Sequence, residues 1–210
     1  DARKLINSIE LVLNQFKSAK KNKISNKDVL SVLQENMALY DKNGEQHYDI
    51  ISAFIKSMRG SDPNGAVYWL ARMLVGGEDI KFIARRMMIL AAEDIGLANP
   101  NALVMANNCF QAINVIGNPE ARIILSETAV YLAVSPKSNS TYNAINEAMA
   151  FVKKTGNLPV PLHLRNAPTK LMKNLDYGKD YQYAHSYEGN FVDLEFLPDE
   201  IKGTAFYEPA

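Results

Sequence analysis

The most apolar helical stretch of the sequence is residues 80–95, which read IKFIARRMMILAAEDI. Apolar side chains recur there at the 3.6-residue period of an α-helix, at Ile80, Ile83, Ala84 and Met87. A second methionine and an isoleucine follow Met87 directly, so the predicted helix is apolar nearly all round. Such a helix must be covered on several sides, and either partner subunits or the C-terminal tail of the chain could supply the cover.

Further amphipathic stripes lie on both sides of this stretch, with helix-start signals between them. At Asp62-Pro63 the carboxylate can accept bonds from the free amides of the next turn, and the proline suits a first helical position that needs no donor. The same signal recurs at Asn99-Pro100 and at Asn118-Pro119. The pattern predicts a mainly α fold, an antiparallel helical bundle.

The C-terminal part of the chain changes character after one more predicted helix, which runs from Ser138 to about Lys154. We expect four apolar side chains of that helix to point inward: Tyr142, Ile145, Met149 and Val152. Two prolines in residues 158–162 remove donors and fix φ, so this segment is predicted to be extended. Aromatic and polar positions alternate in residues 176–210, which predicts an extended tail, with or without a hairpin, wrapped on the bundle.

Charge is balanced overall, with 23 Lys and Arg against 23 Asp and Glu, which excludes a strongly basic nucleic-acid binder. The distribution is uneven, because residues 1–27 hold seven basic side chains against two acidic ones, and residues 176–210 hold eight acidic against two basic. No apolar run approaches the roughly 20 residues of a membrane helix, and the single Cys109 cannot form an internal disulfide. We therefore expect a reducing, cytoplasmic location.

Motifs for catalysis are missing from the sequence. It contains no phosphate-cradling glycine loop followed by Lys-Ser/Thr and no G-x-S-x-G elbow, and its three histidines do not stand at metal-ligand spacing. Cys109 is interpreted as a buried small hydrophobe, and Glu93-Asp94 as a polar helix end or an interface ion pair. We predict no catalytic residue and no metal site.

Three charged or aromatic groups leave alternatives open. Arg85 and Arg86 could grip a phosphate or a carboxylate of another subunit, or form a solvated helix face. The lysines of residues 17–27 could contact a nucleic-acid backbone or remain solvated. The tyrosines at 177, 181, 183 and 187 could stack on bases, although core packing of the tail is the favoured interpretation.

Longer stretches of sequence carry a specific resemblance. They are residues 40–45 (YDKNGE), 47–63 (HYDIISAFIKSMRGSDP), 68–73 (YWLARM), 82–86 (FIARR), 92–98 (AEDIGLA), 117–120 (GNPE), 135–139 (SPKSN) and 160–165 (VPLHLR). Together they resemble the C-terminal half of the replication-associated recombination protein A family, also called MgsA. These AAA+ ATPases of the clamp-loader clade are related to the Werner-helicase-interacting protein. The resemblance covers nearly the whole chain.

The resemblance implies a domain plan and a setting. Residues 1–24 would be the end of the AAA+ lid helix, 25–156 a helical oligomerisation domain like the clamp-loader collar, and 157–210 a family-specific C-terminal region with an extended tail. Family members are described as homotetramers held by this part. The full-length protein would bind ATP and Mg²⁺, act on DNA with single-strand-binding protein as a partner, and associate with the nucleoid in the cytoplasm.

The opening Asp1-Ala2-Arg3 resembles the end of a G-D-A-R motif in the last lid helix. In the family this arginine is the sensor that reaches the γ-phosphate of the bound nucleotide, so the resemblance assigns that role to Arg3. Charge-assisted bonds of this kind are worth roughly 1.5 to 3 kcal/mol each. The phosphate-binding loop, the acidic Mg²⁺-binding motif and the arginine finger of the family precede this point, so we expect the chain to be a piece of a longer protein.

Two hypotheses from different classes follow. The first is an oligomerisation and scaffold domain that itself catalyses nothing, with these candidates for polar contacts between helices or subunits: Arg59, Asp62, Arg85, Arg86 and Glu93. The alternative is a recognition module that binds single-stranded DNA or a replication partner protein through the Lys-rich N-terminal end or the tyrosine tail. A free-standing enzyme is disfavoured, because the sequence offers no nucleophile, metal set or matched acid/base pair.

Overall fold

The computed structural model describes residues 45–209, together with residues 9, 13, 25–27 and 29. Most of the predicted lid segment 1–24, Arg3 included, lies outside the described residues. Residues 45–209 contain helices and turns and no strand. The α-helices are α1 (Glu45–Arg59), α2 (Pro63–Val75), α3 (Ile80–Leu90), α4 (Asn101–Ile116), α5 (Ala121–Val134), α6 (Ser140–Thr155) and α7 (Lys170–Asn174). The predicted mainly α fold is confirmed.

The chain divides into two compact units, the first ending at Asn139 and the second spanning Ser140–Ala210. Helices α1 to α5 form the first unit, and α6 and α7 belong to the second. The division precedes α6, whereas the domain plan implied by the resemblance places a boundary after residue 156.

The first two helices are joined by a short turn whose geometry follows from local sequence. Helix α1 ends at Arg59, and the amide of Asp62 donates back to the carbonyl of Ser57 at 2.9 Å. The Asp62 carboxylate then accepts from the amides of Asn64 and Gly65, both at 3.0 Å, and Pro63 is the first residue of α2. The predicted start signal is thus present as a helix cap.

Helix α5 is the centre of the first unit, because it packs against all four of the other helices. Three of its buried residues are alanines, at positions 121, 129 and 133, and small side chains let neighbouring helices approach closely. The buried hydroxyl of Thr128 donates to the carbonyl of Ile124 at 2.9 Å, so burial leaves it hydrogen-bonded.

One hydrophobic core fills the space between these five helices. Its largest fully buried apolar side chains are Phe54, Met58, Leu70, Met73, Ile83, Met87, Leu90, Ile95, Ile113, Leu125 and Leu132. The predicted stripe of α3 is largely correct, since Ile83, Ala84 and Met87 are buried. On its other side α3 is less covered than expected, because Ile89 is exposed.

The two asparagine start signals were wrong as caps. Helix α4 begins at Asn101 without a side-chain cap, and the Asn99 amide donates instead to the Tyr131 hydroxyl at 3.0 Å and the Ser135 hydroxyl at 3.1 Å. Helix α5 likewise begins without a side-chain cap, and the Asn118-Pro119 peptide bond that precedes it is cis. Asn99 therefore joins the start of α4 to the end of α5.

The second unit is organised by the 160–165 stretch that carries part of the family resemblance. Arg165 donates to the carbonyl of Val160 at 2.6 Å and to the hydroxyl of Tyr177 at 3.2 Å, and its guanidinium lies 5.1 Å from the centre of that ring. His163 donates from Nε2 to the carbonyl of Glu195 at 2.8 Å. These contacts connect the start, the middle and the end of residues 160–195.

The Glu195 carboxylate bonds the backbone of the tail at three positions. Its carboxylate accepts from the amides of Phe196, Leu197 and Gly203, and these bonds, with that from Leu197 first, lower the pKa of the carboxyl. The described part of the tail contains 3₁₀ turns and no strand, so the hairpin alternative is wrong. In the tail, polar side chains such as Glu195 hydrogen-bond to nearby backbone amides, in place of the backbone-to-backbone hydrogen bonds that would join two strands.

Two packing predictions for the second unit were also wrong. Tyr177 is partly buried against Arg165, but Tyr181, Tyr183 and Tyr187 are exposed, so these three do not form a core. The α6 stripe that was expected to point inward is exposed as well: Tyr142, Ile145, Met149 and Val152. The periodicity correctly identified a shared face, but the second unit does not cover this face with its own residues.

None of the helices in residues 45–209 combines the length and the apolarity that crossing a membrane requires.

We expect the substitution Asp62→Ala to lower the free energy of unfolding of the first unit by about 1 kcal/mol, because two amides of α2 lose their acceptor. The fluorescence of Trp69, which is the single tryptophan and lies in α2, reports the urea transition. Asp62→Asn is the matched control, since asparagine caps about as well as aspartate. Equal losses for the two variants would contradict a capping role.

Candidate functional site

Two of the candidate residues, Arg59 and Glu93, meet where α1 ends and where the π-helix Ala91–Ile95 continues α3. Turns of π-helix are frequent at functional sites. The Arg59 guanidinium faces this turn, with Nε at 2.5 Å from Oδ1 of Asp94 and Nη2 at 3.1 Å from Oδ2. Nη2 also lies 3.7 Å from Oε1 of Glu93. Arg59 thus makes a two-pronged bond to one carboxylate and a longer ion pair with another.

Burial distinguishes the two carboxylates. The Asp94 side chain is 11% exposed and the Glu93 side chain 31%, whereas Arg59 is 46% exposed. A largely buried carboxylate needs a charged donor, so Asp94 is the residue that depends most on Arg59. The structure therefore brings together the predicted residues Arg59 and Glu93, with the neighbouring Asp94 as the main acceptor.

A lysine completes this site from the segment that follows α5. The Lys137 ammonium donates to the Ser61 hydroxyl at 3.2 Å and to the carbonyls of Ala133 and Ser135 at 2.9 and 2.5 Å. Burial lowers the pKa of Lys137, and the negative charge of Asp94 partly opposes that effect.

We call Arg59, Ser61, Glu93, Asp94 and Lys137 the polar junction. It joins three parts of the first unit: the turn between α1 and α2, the π-helix, and the segment after α5. The amide of Ser138 adds a bond of 2.9 Å to the Asp94 carbonyl, which fixes the chain just before the second unit begins. The polar junction is a structural connection within one chain.

The other predicted contact residues lie elsewhere. Asp62 caps α2, as described above. Arg85 lies on the exposed side of α3, with Nη2 at 3.9 Å from Oδ2 of Asp79, and both side chains are about half exposed. Arg86, the next residue of the helix, is partly buried. The structure does not bring these arginines to the polar junction.

Sequence reasoning missed a buried pair of polar side chains. Nδ1 of His47 lies 2.8 Å from Oε2 of Glu78, and the His47 and Phe82 rings are 5.3 Å apart between centroids. Glu78 also accepts from the amide of Asp79 at 2.9 Å. His47 and Glu78 are far apart in sequence, so no local spacing signals the pair. It connects the first turns of α1 to the start of α3.

The first unit also carries a surface cavity of about 260 Å³, lined by Asp49, Ile50, Trp69 and Arg72. The Arg72 guanidinium lies 5.5 Å from the centre of a Trp69 ring, which places a cation over an aromatic face. Tryptophan and arginine are the side chains most enriched among the energetically dominant residues of protein interfaces.

The Cys109 thiol lies in the core of the first unit. Burial raises the pKa of the Cys109 thiol, so the neutral form is favoured, and the interpretation of a buried small hydrophobe is confirmed. The thiol is nearly inaccessible, at 2% exposure. Across the described ranges, no group of three or more His, Cys, Asp or Glu side chains is placed to hold a metal ion.

Arg59→Ala is expected to lower the free energy of unfolding by about 1 kcal/mol, because it removes the charged donor of the Asp94 carboxylate. The loss stays this small because the Arg59 side chain is partly exposed and solvent screens its charge. The urea transition followed by Trp69 fluorescence measures this change. Arg59→Lys should lower the free energy of unfolding less, since lysine keeps the positive charge although it cannot make the two-pronged bond of a guanidinium. If Arg59→Ala changed the mass of an assembly and left the unfolding free energy unaltered, an intramolecular role would be wrong.

Comparison with known proteins identifies the family. A model described as the MgsA AAA+ ATPase C terminal matches residues 60–210, and one described as an AAA C-terminal domain matches residues 1–59. Both descriptions are of C-terminal parts, which confirms the expectation that this chain is not the ATPase module.

Individual relatives agree with the family models. Replication-associated recombination protein A of Coxiella burnetii is 44% identical over the whole chain, and that of Bacillus subtilis is 40% identical. The chain spans about half the length of these two proteins. ATPase WRNIP1 of Dictyostelium discoideum is 44% identical over 88% of the chain, which corresponds to 21% of that protein. The chain belongs to the MgsA AAA+ ATPase C-terminal family.

Proposed function

We propose that the chain is the oligomerisation and scaffold domain of a DNA-dependent AAA+ ATPase that acts in DNA replication, recombination and repair at stalled forks. Four copies would fix the geometry in which ATPase modules meet at shared nucleotide sites. The names of the relatives, which refer to replication-associated recombination, support this role in DNA replication and recombination. The observation that carries the assembly role is the apolar surface of the first unit.

Helix α4 illustrates this surface. It buries one face in the core, yet four large apolar side chains on its remaining surface are exposed: Leu103, Val104, Val115 and Ile116. Val115 is 86% exposed. The pairs lie at the two ends of the helix, and asparagine and glutamine side chains separate them.

Helices α2 and α5 likewise bury one face in the core and expose large apolar side chains on another. Helix α2 exposes Tyr68 and Val75 on the side away from its buried Leu70, and α5 exposes Ile123 and Val134 although it is the central helix. Single exposed apolar residues are normal, but groups of them on several neighbouring helices are typical of protein interfaces. Contacts between subunits would cover this surface.

Charge supports the same interpretation. The sequence is neutral overall, and in the polar junction the Arg59 charge is already matched by carboxylates of the same chain. An interface built on such a surface depends on burial of apolar area, and salt screens it little.

The whole protein would supply what this chain does not contain. By the family resemblance, a preceding ATPase module would bind ATP and Mg²⁺, and Arg3 would contact the γ-phosphate as a sensor. DNA and single-strand-binding protein would be partners of that longer protein. A role at replication forks would place it in the cytoplasm, associated with the nucleoid.

The test is the solution mass of the 210-residue chain by light scattering after size exclusion. A homotetramer predicts about 94 kDa, four times 23.4 kDa, at both low and high salt, because the interface is largely apolar. Dilution series at each salt concentration serve as the internal control. A stable mass of 23.4 kDa across the series would contradict the assembly role of this chain.

A second candidate function is favoured by the exposed aromatic side chains of the tail. Tyr181, Tyr183, Tyr187 and Phe191 all lie open to solvent, and such rings can stack on the bases of single-stranded DNA or anchor a protein partner. The acidic charge of residues 176–210 opposes contacts to phosphates. A replication partner protein with basic side chains therefore fits this surface better than DNA does.

The anisotropy of a labelled single-stranded oligonucleotide tests the DNA form of this second candidate. If bases stack on the tail, Tyr181→Ala with Tyr183→Ala should weaken binding by roughly tenfold or more, and Tyr207→Ala, an exposed tyrosine farther along the tail, should not. Binding that the pair of substitutions leaves unchanged would exclude base stacking at these two rings.

A further inference from the structure

Helix α6 carries an apolar stripe that its own unit leaves uncovered. The side chains of Tyr142, Ile145, Met149 and Val152 are between 43% and 57% exposed. They follow one another at intervals of three, four and three residues, so they form one continuous seam along the helix. The neighbouring Phe151 is partly covered, because its ring packs edge-on against Phe206 at 5.6 Å between centroids.

The second unit has little interior to stabilise this helix. None of the described residues in 140–209 is a buried one, whereas each α-helix of the first unit contributes several buried residues to the core. A helix in a protein gains most of its stability from packing of its apolar face, and ordering it costs conformational entropy. The seam of α6 therefore calls for a surface that covers it.

The spacing indicates what that surface is. Intervals of three and four residues are the a and d positions of a heptad, which pack against the same positions of another helix. We infer that α6 of one copy pairs antiparallel with α6 of a second copy. Ile145 would then lie beside Met149 of the second copy, and Tyr142 beside Val152 of the second copy. This inference rests on the proposed oligomerisation and assigns one of its interfaces.

Charge selects the antiparallel orientation. The only basic side chains of α6, Lys153 and Lys154, lie in its last turn, and Glu147 lies on the side away from the seam. A parallel pair would place all four lysines of two helices at the same end, with the two Lys153 side chains beside the seam. An antiparallel pair places them at opposite ends, which avoids repulsion between like charges.

Area limits the role of this contact. Four half-exposed side chains contribute about 400 Å² per copy, which is half of the roughly 800 Å² per partner in a standard stable interface. Pairing of α6 alone is therefore too small for a stable dimer. It fits one of two interfaces in a tetramer, the other being formed by the apolar surface of the first unit.

The test uses the full 210-residue chain with the paired substitution Ile145→Glu and Met149→Glu. Charges in the seam should halve the mass from about 94 to about 47 kDa by light scattering, because only the other interface remains. Met149→Glu alone and Ala150→Glu form the matched pair, since each adds one negative charge to an exposed side chain of α6, the first inside the seam and the second outside it. Circular dichroism checks that all variants keep their helix content.

The outcomes separate this inference from the proposed function. A wild-type monomer would overturn both. A wild-type tetramer whose mass survives the seam substitutions would overturn the α6 pairing alone, and a loss of thermal stability at unchanged mass would show that another part of the same chain covers the seam.

Cysteine cross-linking tests the orientation. Antiparallel pairing predicts that the double variant Ile145→Cys, Met149→Cys forms a covalent dimer on oxidation, and that Ala150→Cys does not. The native Cys109 is buried, so it should not take part. Cross-linking of Ile145→Cys alone as efficiently as of the double variant would indicate a parallel pair and overturn the assignment.

Discussion

Helix α5 must fit between four other helices, and this requirement determines the rest of the first unit. Alanines at 121, 129 and 133 keep the buried positions small enough for the neighbours to approach. The Thr128 hydroxyl can be buried among them only because it bonds the Ile124 carbonyl of its own helix. Larger side chains at the alanine positions would push the helices apart, since a packed core tolerates added volume poorly.

The end of the same helix organises the polar groups and the surface. Carbonyls at 133 and 135 accept from Lys137, and this brings the chain to the polar junction, where Arg59 neutralises Asp94. With the core filled and these charges matched internally, large apolar side chains remain exposed. They occur in both units, on α2, α4 and α5 and on α6. The case for self-association therefore rests on uncovered apolar area in each unit and not on net charge.

Local sequence predicted what depends on neighbouring residues. The helical class and the Asp62 cap both follow from spacings within one or two turns, and the family follows from contiguous stretches of sequence. Asn99 does not cap α4 because its amide finds partners more than 30 residues away, at Tyr131 of α5 and at Ser135, which directly follows that helix. The same physical limit hid the pair of His47, which lies in α1, and Glu78, which lies in the turn before α3.

The sequence by itself determined the family, the helical fold class and the residues that share each helix face. The family follows from contiguous stretches of sequence, and the other two follow from short-range periodicity. Only the tertiary structure decided that Arg59 pairs with Asp94, that the second unit does not bury Tyr181, Tyr183 and Tyr187, and that it leaves the α6 seam uncovered by its own residues. Periodicity states which side chains point the same way. What lies opposite them depends on contacts between distant segments, and these are set by the packing of the whole chain.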